Sequence, residues 1–232
     1  WKLNERNEGE PSWPSPFGMG RPGWHIEDTA ITEKFFGAQY DIHGGGRDLI
    51  FPHHEAEVAQ MEAISGKRPM AKYWMHTGFL TLNDQKMSKS LNNSITIADF
   101  LKRYSVQHLR FWIAKNLWRS PVNYSESLMI EVKSALEKIE EFLRKLKMQK
   151  SNIKMTMQNI KLLRNVKENF YRELDDDFNT PKAFAVLFDF IKEINKLLDQ
   201  SMVSKRESRE MYKFFLEIDT FFGIIDVNKL KP

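Results

Sequence analysis

The chain has 232 residues, 41% hydrophobic and 28% charged, which is enough apolar material for one large or two small cores. A net charge of +4 permits a polyanionic partner without requiring one, and the absence of cysteine excludes a disulfide framework. No apolar run approaches the roughly 20 residues that span a bilayer, so no membrane partner is expected; the opening Trp1-Lys2-Leu3-Asn4-Glu5-Arg6 has neither an initiator methionine nor a signal-like apolar stretch, and the chain reads as a piece of a longer protein.

Residues 1–23 carry Pro11, Pro14, Pro16 and Pro22 with Gly18, Gly20 and Gly23. Repeated proline and glycine forbid a helix or a central strand, so an ordered loop is expected, pinned by Trp13, Phe17 and Trp24. Trp24-His25-Ile26-Glu27-Asp28 leads into a short helix over 29–36, ended by Gly37. Residues 38–43 read as a strand that runs into Gly44-Gly45-Gly46-Arg47-Asp48. A helix opens at His53-His54-Glu55 and ends near Ser65-Gly66, and short strand-like stretches cover 73–76 and 79–82.

From Thr96 onward the pattern is helical. Ile97, Phe100 and Leu101 keep helical spacing, and 106–114 forms a second short helix. Leu136, Ile139, Leu143 and Leu146 make one apolar stripe on a helix over about 125–148. Further helices are expected over 151–174, from Asn179-Thr180-Pro181 through Leu198, and over 205–222. No strand signal follows residue 82. The organisation is therefore an α/β half, 1–120, followed by an all-helical bundle, 121–232.

Several residues carry chemistry by type and spacing. His53 and Glu57 stand four apart on a helix, about 6 Å from one another on one face, where both can reach a divalent metal. The alternative is a first-turn histidine beside a carboxylate favoured by the helix dipole. His54 falls on the neighbouring face, away from that metal. Asp48 can accept hydrogen bonds from ribose hydroxyls, with Gly45 and Gly46 letting a sugar approach the backbone. His43 either lines the same pocket or faces solvent at a strand end, and Trp24-His25 either walls a small-molecule pocket or, through Trp24, anchors packing.

Lys86-Met87-Ser88-Lys89-Ser90 places two ammonium groups on one loop that Met87 can pin to the body. Such charges suit a triphosphate whose charge rises as a phosphoanhydride bond breaks; a solvated surface turn is the bland alternative. Over 133–174 there are 11 lysines and arginines against 5 acidic residues, an excess of +6 that suits a phosphate backbone or a solvated helix face.

These pieces stand in a familiar order. Residues 9–27, 41–57 (DIHGGGRDLIFPHHEAE), 73–79, 86–93 (KMSKSLNN) and 175–181 (DDDFNTP) together resemble bacterial cysteinyl-tRNA synthetase, a class I aminoacyl-tRNA synthetase. The resemblance implies that 1–120 is the second half of a Rossmann-type catalytic domain carrying the KMSKS loop, and that 121–232 is a helical, DALR-like tRNA-binding domain. It implies activation of L-cysteine with ATP and Mg²⁺ to cysteinyl-adenylate, then transfer to tRNA(Cys), by a cytoplasmic monomer. Asp48 and Gly45 would bind ribose, Lys89 the triphosphate with help from Lys86, and Trp24 and His43 would line the substrate pocket. The family also implies a zinc ion that holds the substrate thiolate through two cysteines, a histidine and a glutamate. His53 and Glu57 take the last two places, and Asp28 stands where one cysteine is expected. Aspartate oxygen ligates zinc but is a harder donor. Asn92 stands where the family usually has glycine.

The first class I signature, HIGH, does not occur in the chain, so this stretch alone is expected to be inactive. Two other readings share its features. A cysteine:amino-sugar ligase would keep the loop and the zinc but needs no basic helical domain. A non-catalytic tRNA-binding paralogue would account for the missing signature and for Asp28.

Overall fold

The computed structural model describes residues 1–3, 11–87 and 93–230. They gather into two compact units, Trp1–Gly78 and Phe79–Pro232.

The first unit is built on one βαβ element. Strand β3 (Tyr40–Gly46) pairs in parallel with β4 (Ala71–Thr77), and helix α2 (Glu55–Ser65) lies between them in sequence. Helix α1 (Trp24–Phe36) precedes β3 and packs on α2. It starts five residues earlier than the expected helix, because Trp24–Asp28 already follow the extended Gly23 that serves as its N-cap. The glycine triplet also differs from expectation: Gly44, Gly45 and Gly46 are strand residues, paired with Met75, His76 and Thr77. Between β3 and α2 the chain makes a 3-10 turn, Arg47–Leu49, and a wide turn, Ile50–His54, in which Phe51 is extended. The proline-rich start is not wholly loop. Strands β1 (Lys2–Leu3) and β2 (Gly20–Arg21) form a two-residue antiparallel ladder, extended by a bridge from Trp13 to Gly20. Proline blocks long ladders, but Gly20 and Arg21 each carry a backbone N–H, and that of Gly20 donates to the Trp13 carbonyl at 3.0 Å. Trp13 and Phe17 are exposed rather than pinned.

The second unit opens with a small sheet in the order β6-β5-β7. Strand β5 (Leu80–Leu82) turns through Asn83 and Asp84, both at positive φ, into β6 (Gln85–Lys86), a two-residue hairpin loop of the kind that matches strand twist. Strand β7 (Val122–Tyr124) runs parallel to β5 and, with β6, corrects the expectation of no strand beyond about residue 82. Three residues between Pro121 and Ser125 are too few to show a period of two. Helices α3 (Ile97–Leu101), α4 (Val106–Ala114), α5 (Glu126–Met148), α6 (Met157–Asp175), α7 (Thr180–Asp199) and α8 (Lys205–Phe222) make up the rest. α6 starts six residues later than expected, just after the cap residue Thr156, whose hydroxyl accepts from the Asn159 N–H. Phe142, Leu143, Phe170, Leu187, Ile194, Met211, Phe214 and Phe215 are fully buried between these helices and form the large core of the molecule. The Asp177-Phe178 corner before α7 is held by Arg119, which donates to both carboxylate oxygens of Asp177 at 2.6 and 2.9 Å.

Candidate active site

In the first unit the wide turn and the helices bring histidines and carboxylates together. His53 and His54 leave the turn Ile50–His54 side by side, and both are buried. Glu57 follows in the first turn of α2 and is 1% exposed. The start of α1 supplies Trp24, His25 and Asp28; β3 supplies Tyr40 and His43; β4 supplies His76. Five of the six histidines in the chain meet here.

His53 Nε2 lies 3.1 Å from Asp28 Oδ2 and 3.7 Å from Glu57 Oε2. The other ring nitrogen, Nδ1, is 2.6 Å from Nδ1 of His25. The indole of Trp24 stacks on the His53 ring, with centroids 3.7 Å apart and planes 17° from parallel. On the far side of Glu57, His43 Nε2 is 3.2 Å from the same Oε2, while its Nδ1 meets the Tyr40 hydroxyl. His54 Nδ1 is 2.8 Å from His76 Nε2.

Neither oxygen of Glu57 makes a hydrogen bond, although two imidazoles stand close. Such a carboxylate is costly to ionise. Burial, reinforced by the negative charge of Asp28, pushes Glu57 up to about 7. Burial also lowers His43 and His53, and holds His54 down to about 4 with help from its histidine neighbours. The imidazoles are therefore neutral at pH 7 and offer lone pairs rather than charge. A buried, unpartnered carboxylate facing neutral imidazoles fits a divalent cation. Two sets of donors converge within 4.8 Å: Asp28, His53 and Glu57, and His43, His54 and Glu57. His54 enters only the second set and is absent from the one that holds His53. It leaves a wide turn, Ile50–His54, in which Phe51 is extended.

The other expected residues divide in two. Asp48 is exposed, and a Cβ added at Gly46 would come 2.6 Å from its Oδ1, so the carboxylate lies against bare backbone. A Cβ at Gly45 would meet the His54 ring at 2.8 Å. A cavity of about 380 Å³ beside His43 is lined by Tyr40, Thr32 and Gly44. Lys86 belongs to the second unit, where its ammonium sits 4.1 Å above the Phe79 ring. The feet of its loop are tied: the Met87 N–H donates to the Leu80 carbonyl, the Ile95 N–H to Met87 Sδ, and Asn93 Nδ2 to the Lys86 carbonyl. Lys89 and Asn92 lie outside the described residues. Sequence reasoning missed Tyr40 and His76, and saw in His25 only a pocket wall beside Trp24. The crowding of five histidines into 25–76 was the available signal.

Comparison with known proteins gives the family. Residues 1–134 match the family "tRNA synthetases class I (C) catalytic domain", and 169–226 match the DALR domain. The cysteine–tRNA ligase of Thermoplasma volcanium is 47% identical over 229 residues, 99% of this chain and 49% of its own length. That of Thermodesulfovibrio yellowstonii is 46% identical, covering 89% of this chain and 43% of its own. The chain thus spans about half the length of the curated relatives it matches. Among solved structures, a LeuRS–tRNA–LeuAMS ternary complex from Agrobacterium radiobacter aligns with a TM-score of 0.63 at 13% identity, over 85% of this chain and 31% of that one. Methionyl-tRNA synthetase of Mycobacterium tuberculosis with methionyl-adenylate aligns at 0.55 and 18%, over 68% and 34%. At these identities the structures speak for the fold: a Rossmann-like catalytic part followed by a helical domain.

Proposed function

Because this chain belongs to the family of class I (C) tRNA synthetase catalytic domains, we propose that the whole protein is a cysteine–tRNA ligase. It activates L-cysteine with ATP and transfers it to tRNA(Cys). The observation that carries the reading is the buried carboxylate of Glu57, unpartnered among neutral imidazoles, in a chain 47% identical to a cysteine–tRNA ligase. Residues 1–120 act as the second half of the catalytic domain and 121–232 as the tRNA-binding domain.

In this reading Asp28, His53 and Glu57 hold zinc, with Asp28 in place of the family's cysteine. The bound ion supplies a soft Lewis acid for the substrate thiolate, which separates cysteine from serine. Trp24 and His43 wall the side-chain pocket. Asp48 accepts the ribose hydroxyls, and Gly45 lets the sugar lie close. As the cysteine carboxylate attacks the α-phosphorus of Mg²⁺-bound ATP and pyrophosphate leaves, Lys89 and Lys86 neutralise the charge that develops on the leaving group. The protein acts as a monomer in the cytoplasm. The bacterial-type part of the resemblance has less support than the rest, since Thermoplasma and Methanococcus relatives stand at similar identity.

The test is cysteine-dependent exchange between ATP and pyrophosphate with the full-length protein. Lys89→Ala is expected to lower the exchange rate by 100-fold or more, with little change in ATP affinity, because the lysine acts in the transition state. A variant that weakens ATP binding and keeps its kcat would overturn this role. Charging of tRNA, rather than of an amino sugar, separates the ligase from its closest chemical alternative.

A further inference from the structure

We infer that His25 is a positioning residue, which sets the tautomer and the rotation of His53 without ligating metal itself. The inference rests on the metal-site reading above. His53 turns Nε2 toward Asp28 Oδ2 at 3.1 Å and Glu57 Oε2 at 3.7 Å. A metal bound there takes the Nε2 lone pair, so the ring proton of neutral His53 must sit on Nδ1. That atom lies 2.6 Å from His25 Nδ1. Two ring nitrogens at this distance require one proton between them. His53 Nδ1–H therefore donates, His25 Nδ1 accepts, and the proton of His25 is left on its own Nε2.

The arrangement constrains the ligand in two ways. Trp24 stacks on the ring at 3.7 Å and fixes its plane, and the hydrogen bond to His25 fixes its rotation within that plane. His25 is itself anchored. It lies in the first turn of α1, and the Thr29 hydroxyl stands 3.0 Å from its carbonyl oxygen and 2.7 Å from Gln60 Oε1 on α2. Among the described residues, neither donor set able to hold a metal includes His25. Accepting the Nδ1 proton also makes Nε2 more basic, which strengthens its bond to a cation.

Zinc affinity of the full-length protein, measured by competition with a chromogenic chelator, tests this directly. His25→Leu removes the acceptor and is expected to weaken zinc binding 10- to 100-fold. His25→Asn puts Oδ1 where Nδ1 was and is expected to stay within about threefold of the native affinity, a distinction that loss of packing alone would not produce. With Co²⁺ in place of zinc, the visible absorption bands of the Leu variant should shift and those of the Asn variant should not. Equal affinity in the Leu and native proteins would overturn the role of His25 and leave the zinc reading standing, as would an Asn variant as weak as the Leu variant. A native protein that takes up no zinc at all would remove the zinc reading, and this inference with it.

Discussion

Glu57 is the residue on which the site turns. Its carboxylate is buried, its oxygens accept no hydrogen bond, and its pKa is raised to about 7 by burial and then by Asp28. The consequence for stability follows from the sign of the shift. A carboxyl that titrates near 4.5 unfolded and near 7 folded binds more protons in the folded state across that window. Metal-free protein therefore loses stability as pH rises from 4.5 to 7, by up to about 3 kcal/mol at full ionisation. Glu57→Gln has no such charge to bury. Stripped of metal, the variant should match the native protein at pH 5 and protect the amides of α2 better at pH 8, as read by hydrogen exchange. With zinc present the order should reverse. A metal-free Gln variant less protected than native at pH 8 would show that the carboxylate makes stabilising contacts of its own. Sequence spacing paired His53 with Glu57. It could not show that His43 approaches the same oxygen as His53, or that His54 joins a donor set with Glu57, since these come from a strand and an irregular turn.

At the scale of elements, the helices owe their ends to side chains that the sequence displays. Ser204 and Glu207 form a reciprocal cap at the start of α8: Ser204 donates to Glu207 Oε2 from its N–H and its hydroxyl, both at 2.7 Å, and the Glu207 N–H returns to Ser204 Oγ. The other oxygen of Glu207 accepts the Thr156 N–H at 2.8 Å, so one buried carboxylate ties the starts of α6 and α8 together. Burial alone would raise its pKa, but these hydrogen bonds outweigh it and hold the carboxyl below its ordinary value. A depressed carboxylate stabilises above the unfolded pKa and loses that contribution as pH falls through the folded one. Glu207→Gln is expected to cost roughly 1–3 kcal/mol at pH 7, and to flatten the fall in the helical unit's melting temperature below pH 4.5. An unchanged melting curve at pH 7 would argue that the link between α6 and α8 is dispensable. Strands were less legible. β7 has three residues, and β3 continues through three glycines that carry no side-chain pattern.

At the scale of the whole molecule, each unit has its own character. The helical unit has a deep core of phenylalanine, leucine and methionine. The first unit leaves Ile42 and Tyr73, neighbours across β3 and β4, 59% and 68% exposed. The basic excess of +6 over 133–174 falls on α5, the segment before α6, and α6, with Lys138, Arg144, Lys161 and Arg164 exposed. If these side chains meet the backbone of tRNA, binding must weaken with salt through counterion release. Lys161→Ala in the full-length protein should weaken tRNA binding and lower the slope of log K against log salt by about 0.7 to 1. An unchanged slope would return this surface to ordinary solvation.

The sequence by itself determined the helical half nearly to its boundaries. Apolar residues recur at helical spacing, and Ser, Thr and Asn caps mark the starts, so local chemistry suffices there. It also determined the family, through motifs whose order along the chain is legible before any folding. Only tertiary structure decided the site. His25, Tyr40, His43, His54 and His76 lie on one helix, two strands and a turn, and no periodicity links them. Packing brings them around Glu57, and burial then sets which groups carry charge. That the His25 and His53 rings share a proton depends on a 2.6 Å approach between α1 and the turn before α2, a distance that only the folded chain creates.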